Sequence, residues 1–177
     1  MLQSIPTMAD VPYTPIAFAV RPYCAGDAAA CKALYVDGLI APKLADNDTG
    51  LDIEDIATAY VPDDGGQFFV AVNAAGEIVG MIGVQPAEPG VGEIRRLRVR
   101  PDHRRRGIGH KLVETAVGYC RDRGYVKVMF DTYLDREPAL NLFNKFHFHH
   151  TKTRKVGEKE LLIFYLDLYQ RDGVDQQ

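Results

Sequence analysis

The stretch Glu93–Leu112, EIRRLRVRPDHRRRGIGHKL, predicts a strand, a loop and the start of a helix. The strand portion carries β-prone apolar residues and stops at Pro101, because proline cannot donate a hydrogen bond to a ladder. After the loop, apolar residues recur every four positions on one face of a predicted helix: Ile108, Leu112, Ala116 and Cys120.

The glycines of this stretch, Gly107 and Gly109, would let the backbone approach a ligand closely. N–H groups in the first turn of a helix lack intrahelical partners and lie at the positive end of the helix dipole. Such a loop can bind a phosphate or pyrophosphate. A Walker loop is excluded because no Gly-Lys-Ser/Thr follows, and a dinucleotide fingerprint fits less well because Leu112 occupies its third glycine position.

The pattern Val-x-Pro-x-x-Arg-x-x-Gly-x-Gly, from Val99 to Gly109, resembles the acetyl-CoA-binding motif of the GNAT family, the GCN5-related N-acetyltransferases. ALNLFNKFHF, residues 139–148, resembles the family's later motif, Ala-x-x-Leu-Tyr-x-x-x-Gly-Phe. The predicted order β-α-α-β-β-β-α-β-α-β-β, from Ile16 to Leu168, matches the family's fold. The resemblance implies an α/β protein with a mixed, mostly antiparallel seven-stranded sheet, about four helices, and parallel central strands that splay apart.

The length of 177 residues predicts one domain, over residues 16–170, with flexible tails at 1–15 and 171–177. Within it, Asp27 and Asp52 are predicted helix N-caps, and residues 85–90 a turn. The net charge of −3 argues against a general nucleic-acid binder. No apolar run reaches the length of a membrane span, and no signal peptide is evident.

The three cysteines, an odd number without a pairing pattern, predict reduced thiols in a cytoplasmic protein. Each lies in or beside a predicted helix, where a small buried side chain is expected: Cys24, Cys31 and Cys120.

Seven of the chain's 21 Lys and Arg residues are arginines within twelve positions: Arg95, Arg96, Arg98, Arg100, Arg104, Arg105 and Arg106. Such a cluster in a mildly acidic protein suits a small polyanionic ligand. The alternative for Arg95, Arg96 and Arg98 is a solvated face. The GNAT resemblance implies acetyl-CoA as cosubstrate and no metal. Its predicted binding residues are Leu97, Arg98 and Val99 along the strand, Arg104, Arg105, Arg106, Gly107, Ile108, Gly109 and His110 in the loop, and Asn141.

Acetyl transfer to an amine needs a proton acceptor for the ammonium and benefits from a donor for the leaving thiolate. Glu93 is the predicted general base, placed by strand periodicity on the same side as Leu97 and Val99. Alternatively, it only pairs with a neighbouring arginine. The family's usual tyrosine falls at Phe143, which reads as a core aromatic, so Tyr133 is the candidate general acid.

The resemblance places the acceptor between the first two helices and the final hairpin. An acidic group there would favour a cationic amine, or is simply solvated: Asp46, Asn47, Asp48, Glu54 and Asp55. A metal site is disfavoured at three histidines that lack metal-ligand spacing: His147, His149 and His150. The apolar strand Leu161–Leu168 could pair across a homodimer if it is an edge.

The predicted function is acetyl-CoA-dependent N-acetylation of a small-molecule or amino-acid-like primary amine by direct attack in a ternary complex, without nucleic-acid or membrane partners. One alternative is a protein lysine or N-terminal acetyltransferase. Another is a non-catalytic acyl-CoA-binding regulatory module, favoured by the missing tyrosine at Phe143.

Overall fold

A computed structural model describes residues 17–38, 48–133 and 137–169. The strands are β1 (Phe18–Pro22), β2 (Gln67–Asn73), β3 (Ile78–Glu88), β4 (Val91–Val99), β5 (Lys127–Tyr133), β6 (His149–Val156) and β7 (Lys159–Asp167). The helices are α1 (Ala28–Asp37), α2 (Leu51–Glu54), α3 (Ile56–Ala59), α4 (Ile108–Asp122) and α5 (Glu137–Asn144). Short 3-10 turns precede α1 and follow β4. Both predicted tails lie outside the described residues.

The strands form one seven-stranded sheet in the order β1-β2-β3-β4-β5-β7-β6. β1 to β4 are antiparallel neighbours, and β5 returns parallel to β4 after the crossover helix α4, as the sequence predicts. β7 inserts between β5 and β6, so the edges of the sheet are β1 and β6. The last strand is therefore not an edge, and the condition for pairing across a homodimer through Leu161–Leu168 is not met.

The two parallel central strands separate soon after they meet. β4 pairs with β5 only from Val91 to Glu93, opposite Lys127 to Met129. β5 nevertheless pairs with β7 along its full length. Beyond Glu93, the β4 edge that faces β5 therefore borders a gap. This is the splay that the resemblance implies.

Helices cover both faces of the sheet. On one face, α4 and α5 pack over a core that includes Ile108, Leu112, Val128, Phe130 and Phe143. On the other face, α1, α2 and α3 pack against β2 and β3 through a smaller core, which holds Leu34, Ile53, Tyr60, Phe68 and Met81. No described helix combines the length and the apolar character needed to cross a bilayer.

The second predicted helix is two single turns, giving five helices instead of about four. The break falls at Asp55, whose backbone φ is −139° and whose side chain accepts a hydrogen bond from Thr58 N–H. Asp52 is not a cap, because its carboxylate accepts from Arg96 and Tyr60 instead.

Asp27 does not cap α1 through its side chain either. Its carboxylate accepts two hydrogen bonds from the Arg21 guanidinium, at 2.7 and 2.8 Å, and one from Cys24 N–H at 2.9 Å. Asp27 therefore ties β1 to the segment before α1.

Cys31 and Cys120 are buried as predicted, whereas Cys24 is exposed. The predicted turn over residues 85–90 is also shorter than expected. β3 continues to Glu88, and β4 begins at Val91 after a turn at Gly90, whose φ is +77°.

Candidate functional site

The gap between β4 and β5 opens into a cleft of about 730 Å³. Its walls come from β4, β5, the loop after β4, the start of α4, and α5. Every residue predicted as catalytic or cofactor-binding lines it except Arg106: Glu93, Leu97, Arg98, Val99, Arg104, Arg105, Gly107, Ile108, Gly109, His110, Tyr133 and Asn141. One continuous cavity thus brings together residues that are far apart in the chain.

The loop before α4 has the backbone form of an anion site. Arg105 and Gly107 have positive φ angles of 62° and 81°. Alternation of left- and right-handed conformations turns successive N–H groups toward a common concavity. The N–H groups of Ile108, Gly109 and His110 begin α4 and have no carbonyl one turn earlier within the helix.

Gly109 leaves little room for a side chain at the contact between α4 and α5. A Cβ at this position would lie 3.2 Å from Leu142 Cδ2 of α5. The glycine therefore lets α5 pack directly over the first turn of α4.

Backbone polar groups of β4 face the gap beyond Glu93. Arg100 N–H donates to Val79 O of β3 at 2.9 Å, so by strand alternation the polar groups of Val99 and Leu97 point to the opposite edge. In this structure the Val99 carbonyl accepts from Arg104 Nε at 3.2 Å, and the Leu97 carbonyl accepts from Arg98 Nη1 at 2.9 Å. An extended ligand in the gap could pair with this edge as a strand would.

The clustered arginines have different roles. Arg96 is neither solvated nor directed at a ligand, because its guanidinium donates to both Asp48 and Asp52, with closest distances of 2.7 and 2.6 Å. Arg104 donates to the carbonyls of Val99 and Gly38, which joins the loop to the end of α1. Arg105 is exposed at the cleft, where its charge can meet an anion.

A β-bulge at Arg96 changes which side chains share a face of β4. Arg96 has a φ of +57°, and β4 uses one residue more than β3 between the pairs Arg95–Gly83 and Arg98–Met81. Glu93 therefore lies on the α1–α3 face, whereas Leu97 and Val99 pack against the α4 core. The prediction that Glu93 shares a side with Leu97 and Val99 is wrong; they meet at the cleft because the cleft passes through the gap in the sheet.

The Glu93 carboxylate lies in a mixed electrostatic environment. Burial raises the pKa of Glu93, the positive charge of Arg95 opposes that rise, and the negative charge of Asp131 adds to it. The net result is a pKa above that of an ordinary glutamate. A carboxylate with a raised pKa is a stronger base, which suits proton abstraction near neutral pH.

Tyr133 ends β5 inside the cleft with 8% of its surface exposed. Lys159 Nζ lies 5.6 Å from the centroid of its ring. Phe143 is 3% exposed and stacks on Phe130 with ring centroids 3.7 Å apart, which confirms the interpretation as a core aromatic. His147, at the family's usual glycine position, has a φ of +61°. That conformation explains why glycine suits the position.

The acidic group predicted to attract a cationic acceptor has structural partners. Asp48 pairs with Arg96, Glu54 pairs with Lys32 at 2.7 Å, and Asp55 caps α3. Asp46 and Asn47 lie outside the described residues. Within the described ranges, no group of three or more His, Cys, Asp or Glu side chains could hold a metal ion.

Asp131 and Arg95, two charged residues of the cleft near Glu93, were not among the predicted site residues. Asp131 follows Met129, the register partner of Glu93, by two positions, and it therefore shares the Glu93 face of the sheet. Arg95 lines the cleft beside Glu93. The period of two along β5 was the signal for Asp131, but its use requires knowing the register between β4 and β5.

Comparison with known proteins yields the same family from sequence and the same fold from structure. The family model described as "Acetyltransferase (GNAT) family" matches residues 39–148. Among curated proteins, rat "N-acetyltransferase 8" is 36% identical over 124 residues, which cover 66% of this chain and 53% of that protein. Human "N-acetyltransferase 8" is 33% identical over 118 residues, which cover 64% of this chain and 49% of that protein. The chain thus spans about half the length of these relatives.

Among solved structures, an acetyltransferase of GNAT family from Staphylococcus aureus Mu50 superposes with a TM-score of 0.75 at 20% identity, covering 86% of this chain and 99% of that one. At this identity the match concerns the fold, including the order of the strands and the parallel central pair.

Proposed function

The chain belongs to the GNAT family of acetyltransferases, and we propose that it transfers the acetyl group of acetyl-CoA to the primary amine of a small-molecule or amino-acid-like acceptor, by direct attack in a ternary complex. The observation that carries this proposal is the gap between β4 and β5. It runs from the loop before α4 at one end to the partly buried carboxylate of Glu93 at the other.

The donor fits this cleft in two places. The pyrophosphate would lie at the start of α4, with backbone N–H groups from Arg105 to His110 as donors and the side chain of Arg105 adding charge. The pantetheine arm would lie in the gap and pair with the backbone of Leu97 and Val99. Arg98 and Asn141 would add further contacts from either side of the cleft.

The acceptor would enter from the Glu93 side of the gap. The ammonium gives a proton to Glu93, directly or through a water molecule, and the freed nitrogen lone pair attacks the thioester carbonyl carbon. The new C–N bond forms, the C–S bond breaks, and the departing thiolate takes a proton from the Tyr133 hydroxyl. Solvent then reprotonates Tyr133 and removes the proton from Glu93.

The test combines binding with turnover. Calorimetry should detect coenzyme A binding, and a panel of primary amines with acetyl-CoA should release thiol. Glu93→Gln should lower kcat about 10²-fold or more and flatten the acid limb of the pH–rate profile. Glu88→Gln, at an exposed glutamate outside the cleft, is the matched control and should leave both unchanged.

Other outcomes would point to other functions. No heat of binding with coenzyme A would contradict the assignment. Turnover of peptide or protein amines alone would favour a protein acetyltransferase. Binding without thiol release for any amine would favour a regulatory acyl-CoA-binding module.

A further inference from the structure

Arg95 and Glu93 present opposite charges on one face of the cleft. In the register with β3, Glu93 pairs with Gln85 and Arg95 pairs with Gly83, so both side chains project toward α1–α3. Arg95 Nη1 lies 3.9 Å from Glu93 Oε2. This separation exceeds that of a direct hydrogen bond. The two groups therefore attract each other without satisfying each other's hydrogen-bonding capacity.

The guanidinium of Arg95 is held in place but has spare donors. Within the described chain it donates one hydrogen bond, from Nη1 to Gln85 Oε1 at 3.2 Å. Gln85 is itself fixed, because its Nε2 donates to Ala59 O of α3 at 2.7 Å. The Arg95 side chain keeps 38% of its surface exposed toward the cleft.

Arg96, the next residue, differs from Arg95 because its guanidinium is already hydrogen-bonded to carboxylates. Arg96 has 9% of its side chain exposed and donates four hydrogen bonds to two carboxylates. A guanidinium has five N–H donors in a planar fork that matches a carboxylate. Within the described residues Arg95 uses one of these five donors, so the others can bind an anion beside the predicted general base, whereas the guanidinium of Arg96 is engaged with two carboxylates.

We propose that Arg95 binds the α-carboxylate of the acceptor, so that the substrates are α-amino acids. This inference rests on the proposed function. The nitrogen and the carboxyl carbon of an α-amino acid are about 2.5 Å apart. A zwitterion of that size can direct its ammonium to Glu93 and its carboxylate to Arg95 at the same time. Arg95 then fixes the distance between the reacting nitrogen and the base.

Binding of the carboxylate has a second effect on the reaction. The positive charge of Arg95 favours the ionised form of Glu93 and so makes it a weaker base. A substrate carboxylate paired with the guanidinium offsets that charge.

The experiment compares each α-amino acid with the amine left after removal of its carboxyl group, such as phenylalanine with phenethylamine. The wild-type protein should show a kcat/KM about 10- to 100-fold higher for the amino acid, as expected for a hydrogen bond to a charged group. Arg95→Gln should reduce that ratio to about one, chiefly through a higher KM for the amino acid. Arg95→Lys, which keeps the charge but not the fork, should retain part of the ratio.

Arg121→Gln is the matched control, because Arg121 is an exposed arginine near the end of α4 and does not line the cleft. It should leave the ratio unchanged. Coenzyme A binding measured for each variant shows that it is folded. A wild-type preference for the decarboxylated amines, or a ratio that Arg95→Gln does not alter, would overturn this inference and leave the acetyltransferase assignment intact. Absence of coenzyme A binding in the wild type would instead overturn the proposed function.

Discussion

Glu93 of β4 and Asp131 of β5 lie on the same face of the sheet, on either side of the gap where the two strands separate. Burial raises the pKa of Glu93, and the negative charge of Asp131 adds to this effect while Arg95 works against it. The pKa of a carboxylate that lies between one like and one opposite charge can be raised or lowered by a single substitution.

The two neighbours should move the pH profile in opposite directions. In the proposed mechanism, activity requires ionised Glu93 and falls as the pH drops through the pKa of that carboxylate. Asp131→Asn removes a negative charge, lowers that pKa and should move the acid limb of kcat/KM to lower pH by about 0.5 to 1 unit. Arg95→Gln removes a positive charge and should move it to higher pH by a similar amount.

These profiles are best measured with an amine that has no carboxylate, so that changes in acceptor binding do not contribute. Asp122→Asn, at the exposed end of α4, should leave the profile in place. Shifts of the two cleft variants in the same direction would show that the acid limb does not report Glu93.

Gly107 and Gly118 should respond differently to alanine. Gly107 has a φ of +81°, a conformation that costs an L-residue about 1–2 kcal/mol. Gly107→Ala should lower the free energy of unfolding by about that amount and weaken coenzyme A binding about tenfold, because the loop donors move. The measurements are chemical denaturation and calorimetry.

The comparison depends on Gly118, which lies inside α4 and has open space where a Cβ would be. Gly118→Ala should raise the free energy of unfolding by up to about 1 kcal/mol, because alanine favours a helix, and should leave coenzyme A binding unchanged. Equal losses of affinity in both variants would contradict a specific role for the loop conformation.

Arg96 should be among the most sensitive positions for stability. It holds the bulge of β4 against Asp48 and Asp52, and its loss leaves two partly buried carboxylates without their cation. Arg96→Met should lower the free energy of unfolding by about 3–5 kcal/mol. Adding Asp48→Asn and Asp52→Asn should recover part of the loss, because the unpaired charges are then removed.

Arg100→Met provides the contrast. Arg100 pairs with Glu77 and Asp102, whose side chains are 54% and 64% exposed. Its replacement should change the free energy of unfolding by at most about 1 kcal/mol. If Arg100→Met lowered the free energy of unfolding as much as Arg96→Met, burial would not determine how much an ion pair contributes to stability.

Asp27 should make stability depend on pH in the acid range. Hydrogen bonds from Arg21 lower the pKa of Asp27 to about 2. A carboxylate whose pKa is lower in the folded state stabilises the protein above its unfolded pKa, and that contribution is lost as the pH falls toward 2. Asp27→Asn should lower the free energy of unfolding by about 1–2 kcal/mol at pH 7. The effect is no larger because solvent around the exposed Arg21 side chain screens the ion pair.

The difference between wild type and Asp27→Asn should shrink between pH 4 and pH 2 in denaturation curves. Asp64→Asn, at an exposed turn, should show no such trend. A difference that persists at pH 2 would mean that shape and packing, not charge, account for the role of Asp27.

The parts of the fold that sequence predicts best are those with a local signature. The β2–β3 hairpin, the crossover helix α4 and the loop from Arg104 to His110 follow from contiguous patterns, and the structure confirms the elements. The place of β7 between β5 and β6 has no local signature, because it depends on pairing between distant strands. Strand periodicity alone therefore could not exclude that β7 lies at an edge of the sheet.

The site was predicted less completely, for a related reason. A bulge at Arg96 reverses the alternation of side chains along β4, and an arginine rather than a glycine occupies the positive-φ position, so composition gives no sign of it. The closeness of Asp131 to Glu93 likewise depends on the register between two strands. The family resemblance located the residues of the cleft, but not the faces from which they reach it.

The brief pairing of β4 with β5 has a kinetic consequence. With only three paired positions at the centre, the sheet is nearly two half-sheets, and beyond Glu93 the edge of β4 that faces β5 is not paired with it. A donor molecule bound there would complete the sheet and form part of the surface that binds the amine. We therefore expect compulsory-order kinetics, with the thioester adding before the nucleophile and the free thiol leaving last.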